Sequence, residues 1–102
     1  MTNNPLNDVV SLQITFAQTT GVLEFEKEEF NMDNYIRGHD DTPRAKLLPE
    51  IKEWCIENLR GNMAHPRVVR VYAGSQWSFV WAYYIDFKNE HDAILFKLRW
   101  IG

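Results

Sequence analysis

The sequence predicts an α+β fold: a four-stranded, mainly antiparallel sheet with two helices on one face, in the order β-β-α-β-β-α. Three observations lead there. Val9 to Ala17 and Gln76 to Lys88 alternate apolar and polar residues with the period of two that a half-buried strand requires. Leu48, Ile51, Trp54, Cys55 and Leu59 recur at helical spacing between them. The length of 102 residues leaves room for one core, so strands and helices have to share it.

Residues 1–8 are polar and include Pro5, which reads as a flexible terminus ahead of a single domain over 9–102. In the first strand Val10, Leu12, Ile14 and Phe16 share a face. Gln18-Thr19-Thr20-Gly21 then has turn chemistry, and Leu23 and Phe25 form a second strand that closes a hairpin with the first. Residues 27–41 fit neither period. Asp41 or Thr42 can cap a helix with Pro43 in its first turn. Pro49, six residues on, forces that helix either to kink or to begin at Pro49 itself. Gly61 supplies its stop.

Asn62 to Pro66 reads as a loop. Val69, Val71 and Ala73 make a third strand, and Ala73-Gly74-Ser75-Gln76 turns the chain into a fourth. There Trp77, Phe79, Trp81, Tyr83, Ile85 and Phe87 occupy one face, which the two helices are expected to cover. Asn89 caps the last helix, with Asp92 three residues on. Ala93, Ile94, Phe96, Leu98 and Trp100 are expected on its buried side.

Composition excludes several functions. Eleven basic and fourteen acidic residues give a net charge of −3, which supplies no global attraction to nucleic acid or to an anionic membrane. The longest apolar run, Phe79 to Ile85, has seven residues, well short of the ~20 that span a bilayer. The first residues lack the positive and apolar regions of a signal peptide, and a lone Cys55 fits a reducing compartment, so a cytoplasmic location is expected. Glycines stand singly, Cys55 lies on an apolar stripe, and His39, His65 and His91 are scattered. No catalytic machinery, metal site or cofactor is therefore expected.

Charge is the uneven property. Glu24, Glu26, Glu28, Glu29, Asp33, Asp40 and Asp41, against Lys27 and Arg37, give the stretch 24–41 a net charge of −5. These seven acids form the leading candidate for a docking surface on a protein partner. Two alternatives stand beside it. Arg67, Arg70, Tyr72 and Tyr84 offer an aromatic and basic sheet face for single-stranded nucleic acid. His39 and Asp41 mark the place where a small-ligand or enzymatic site is to be sought. Self-association through an open sheet edge is a further expectation.

The run Tyr84-Ile85-Asp86-Phe87-Lys88-Asn89-Glu90-His91-Asp92-Ala93, followed by Ile94-Leu95-Phe96-Lys97-Leu98-Arg99-Trp100, resembles the endings of small, mostly uncharacterised tailed-bacteriophage proteins. Those endings combine an aromatic strand, an acidic cap and a Phe-Lys-Leu-Arg-Trp helix. The resemblance implies a phage accessory protein, either an inhibitor of a host factor or an assembly component. It transfers no catalytic residue.

Overall fold

The computed structural model describes residues 2–4, 9–26, 42–75 and 78–102. The chain is α+β, but its strands pair differently from the sequence expectation. The described strands are β1 (Thr2–Asn4), β2 (Val9–Ile14), β3 (Leu23–Glu26), β4 (Arg44–Leu47), β5 (Ala64–Ser75) and β6 (Ser78–Phe87). The described helices are α1 (Phe16–Thr19), α2 (Pro49–Asn58) and α3 (Glu90–Phe96), the last running into a π turn over Lys97–Ile101. A four-stranded antiparallel sheet has the order β1-β2-β6-β5, and β3 and β4 form a second, two-stranded sheet.

The expected hairpin of the first two strands is therefore corrected. β2 pairs with β6, and β3 pairs with β4. The physical reason lies at Thr15. Its Oγ1 accepts from Gln18 N at 3.2 Å while Gln18 Oε1 accepts from Thr15 N at 2.8 Å. This reciprocal capping box starts α1, which stops β2 short and redirects the chain before β3. Phe16, expected on the core face, is consequently exposed. Residues 2–4, expected to be loose, pair with Val9–Ser11.

Of the two starts the sequence allows for this helix, the structure has the one at Pro49, which stands in the first turn of α2, while Arg44–Leu47 form a strand. The proline needs no partner for its missing N–H there, while further in it would break the helix. Leu48 N donates to Val22 O at 3.0 Å, which ties the start of α2 to β3. α2 ends without a glycine in the left-handed region. That conformation falls to Asn62, at φ 57°. With its amide nitrogen turned to the helix end, Asn62 donates to the carbonyls of Leu59 and Ile56 at 2.9 and 3.0 Å. β5 then starts at Ala64, earlier than the expected loop allows.

The core forms where the sheet's apolar face meets the helices. The ladder places Val10 opposite Phe87, Leu12 opposite Ile85 and Ile14 opposite Tyr83, all buried. Ile51, Cys55 and Leu59 of the α2 segment, with Ala93 and Phe96 of α3, pack into the same cluster. The opposite face of the sheet carries a polar network at the level of Asp86. Ser11 Oγ donates to Asp86 Oδ1 at 2.6 Å, and Arg67 Nε donates to Asp86 Oδ2 at 2.9 Å, so one carboxylate joins β2, β6 and β5.

Asp92 locks the helices together. Its carboxylate is fully buried and accepts from Arg60 N at 2.9 Å and Gly61 N at 2.8 Å, beyond the end of α2. Asn89 Nδ2 donates to it at 3.2 Å, and the Asn89 side-chain oxygen caps α3 by accepting from Asp92 N at 2.9 Å. A Cβ on Gly61 would lie 3.0 Å from Lys88 Cβ and 3.1 Å from Asp92 Oδ2, so the glycine permits this close approach. Ile94 and Leu98, expected on the buried side of the last helix, are exposed. For Leu98 the reason is the π turn, closed by Gly102 N donating to Lys97 O at 2.8 Å, which changes the rotation after Phe96; Ile94 precedes it, in the part of α3 that buries Asp92, Ala93 and Phe96 instead.

Candidate functional site

The longest elements set up the site. β5 has 12 residues and β6 has 10, whereas β2 reaches β6 only from Tyr83 to Phe87. Arg70↔Trp81, Val71↔Val80, Tyr72↔Phe79 and Ser75↔Ser78 thus continue as a two-stranded ribbon beyond the third strand. A bulge interrupts the pairing between Tyr72 and Ser75, and Gly74 takes a left-handed φ of 77° there. A side chain would strain that position, which suits a glycine and twists the ribbon end.

Directly paired residues share a face, so Arg70, Tyr72, Phe79 and Trp81 stand together. Phe79 meets Trp81 edge-on with centroids 4.9 Å apart, and Tyr72 meets Phe79 edge-on at 6.0 Å. The Arg70 guanidinium lies 4.6 Å from the Phe79 centroid and 5.2 Å from that of Trp81, and its Nη1 donates to Tyr72 Oη at 3.4 Å. These contacts hold long side chains in fixed positions, which lowers the conformational entropy that a partner's binding would cost. On the other face Val71 and Val80 are exposed. Tyr72 at 51% and Val80 at 61% are far more accessible than apolar strand residues beneath a helix would be.

The alternation along β6 predicts Phe79 and Trp81 in the core. The structure corrects this for Phe79, which is exposed; Trp81 is half-buried and packs against the core, whose buried residues on this face begin at Tyr83. Strand length could have shown it, because a six-residue β2 is too short to line the whole of β6. Trp77 lies outside the described residues.

The four residues of the nucleic-acid alternative do not form one surface. Arg70 and Tyr72 lie on the ribbon's aromatic face, whereas Arg67 and Tyr84 are paired on the opposite face, the guanidinium 4.6 Å from the Tyr84 centroid. Of the acidic candidates, Glu24 and Glu26 are on β3 opposite Lys46 and Arg44, and Glu24 forms an ion pair with Lys46 at 3.6 Å. Cross-strand cations thus offset the charge of the two described acids. Glu28, Glu29, Asp33, Asp40 and Asp41 lie outside the described residues, as does His39.

Titration behaviour points away from nucleophilic chemistry at the one thiol. Burial, and then the nearby Asp92 carboxylate, push Cys55 up to about 11. The thiol stays protonated at neutral pH, whereas attack requires the thiolate. A disulfide reagent such as DTNB is accordingly expected to label native protein only at the rate of unfolding; rapid labelling of folded protein would contradict this burial. For Asp92, burial acts upward, but hydrogen bonds from Gly61, Arg60, His91 and Asn89 outweigh it and hold the carboxyl below its usual range. That carboxylate is structural. Among the described residues, no group of three or more His, Cys, Asp or Glu could hold a metal ion, and no helix is long and apolar enough to cross a membrane.

Comparison with protein-family models, curated proteins and solved structures finds no match.

Proposed function

We propose that this protein is a non-catalytic interaction module that inserts the distal β5–β6 ribbon into an apolar, acid-rimmed cleft of another protein. The supporting observation is the exposed pair Tyr72 and Phe79 beside Trp81 and Arg70 on one face of the ribbon, with Val71 and Val80 exposed on the other. Trp, Tyr and Arg dominate the energetics of protein interfaces, and here they sit on a projecting element. From Val69 to Ile85 the sole charged residue is Arg70, so an acidic rim on the partner complements the ribbon. The acidic stretch 24–41 is a second region of contact in this reading. A phage accessory protein acting on a host factor is the form that the resemblance of Tyr84–Trp100 implies.

A stacking platform for nucleic acid fits less well. Bases require open ring faces, and Arg70 lies over those of Phe79 and Trp81.

The test compares three proteins in quantitative capture of interacting proteins from the native host. Tyr72→Ser/Phe79→Ser is expected to stay folded while losing about 1 to 3 kcal/mol, at about 0.5 to 1.5 kcal/mol for each of the two aromatic pairs it removes. It should weaken the wild-type partner by at least about thirtyfold, as loss of an interface hot spot does. Glu24→Lys/Glu26→Lys is expected to retain that partner. The opposite pattern would return the docking surface to the acids. Concentration-dependent self-association that only the ribbon variant loses would make the occupant a second copy of the chain, against this proposal.

A further inference from the structure

A second site lies away from the ribbon, where the two sheets meet. β4 runs beside the start of β5 without a hydrogen-bonded ladder, and α2 bridges the seam. Small residues, Ala45, Ala64 and Pro66, line this seam and leave a cavity of about 390 Å³. That is within the range of small-molecule sites, about 300 to 1,000 Å³. Leu47, Cys55 and Ala64 give it a buried apolar floor. Since Cys55 stays a thiol, the floor carries no charge.

Among the described residues, the lining has one sign of charge: Lys46 and Lys52, both exposed, line the cavity, and no acidic side chain does. Lys46 already shares its charge with Glu24 at 3.6 Å. Lys52, on the first turns of α2, is the principal cation left for a ligand. An apolar floor beneath exposed cations matches a molecule with an apolar tail and one anionic head.

We propose that this cavity binds a small amphipathic carboxylate, tail against Leu47, Cys55 and Ala64 and carboxylate against Lys52. The floor selects for the tail by burial of apolar surface, and the exposed cations select the sign of the head. This site does not depend on the ribbon's role, because β5 contributes its first residues here and its last residues there.

Titration of ¹⁵N-labelled protein with sodium octanoate tests the proposal. One saturable site is expected, with amide shifts centred on Leu47, Cys55 and Ala64. Acetate, which lacks the tail, should not saturate it, and octylammonium, with the same tail and the opposite charge, should bind more weakly than octanoate. Lys52→Glu is on an exposed position and should keep the fold while weakening octanoate by about fivefold, the upper range for one exposed ion pair. Absence of saturation by octanoate, equal binding of octanoate and octylammonium, or shifts centred on Tyr72 and Phe79 would each overturn it.

Discussion

Asp92→Ala is expected to destabilise the protein by about 3 kcal/mol, the scale set by losing hydrogen bonds to a charged group and leaving their partners unsatisfied. The variant strips the acceptor from Arg60 N and Gly61 N, two backbone donors that belong to no ladder. For a domain of this length that corresponds to a melting temperature lower by roughly 12 to 24 °C, at about 4 to 8 °C per kcal/mol. Asp92→Asn is nearly isosteric, yet it turns an NH₂ toward one of those donors and should lose about 2 kcal/mol. Thermal unfolding followed by tryptophan fluorescence measures both. A loss below about 0.5 kcal/mol for Asp92→Ala, the range of ordinary surface changes, would show that the clasp is not formed.

The same carboxylate predicts a pH dependence with a definite sign. Its pKa is lowered on folding, so its stabilisation is present above the unfolded value, about 3.9. That stabilisation is lost as pH falls through the folded value. Wild-type stability should therefore decline below about pH 4 more steeply than that of Asp92→Asn, which has no proton to take up. Cys55 acts at the other end. Its raised value contributes stability that is present below the ordinary thiol range and is lost as pH rises toward about 11.

The strands of the main sheet were legible because period-two alternation depends on a single buried face. Val10, Leu12 and Ile14 against Tyr83, Ile85 and Phe87 obey it closely. Pairing was not legible in the same way. Apolar alternation says that a strand has a covered face but not which strand lies beside it, and proximity in the chain favours a β2–β3 hairpin that does not form. The decisive signal was four residues long, Thr15-Phe16-Ala17-Gln18, a capping-box pattern that the strand alternation overlaps. The exposure of Phe79 was not legible for a related reason. Phe79 and Trp81 continue the core pattern of β6, but coverage ends where β2 ends, and periodicity carries no information about a partner's length.

Phe96→Ala is expected to have the largest effect of any substitution considered, about 3 to 5 kcal/mol, because it deletes a buried aromatic that the surroundings cannot replace. Phe96 is fully buried and joins three elements: its ring lies 5.2 Å from that of Phe87 in β6 and 6.2 Å from that of Trp54 in α2. Trp54 in turn meets Trp100 edge-on at 5.8 Å, so the deletion loosens an aromatic chain reaching to the π turn. A domain of this size has a total stability of about 5 to 15 kcal/mol, and the variant would hold only a fraction of it. Leu98→Ala separates this account from simple helical periodicity. An uninterrupted apolar stripe would bury Leu98, yet it is 72% exposed beyond the change of rotation at the π turn. Urea unfolding should therefore show Leu98→Ala within about 0.5 kcal/mol of wild type, as for a surface position. Equal losses for Phe96→Ala and Leu98→Ala would mean that the helix presents a different face to the sheet. A large loss confined to Phe96 would establish that α3 is docked by the side of the helix that also carries Ala93, and that Leu98 contributes nothing to folding and is free for contact with another molecule.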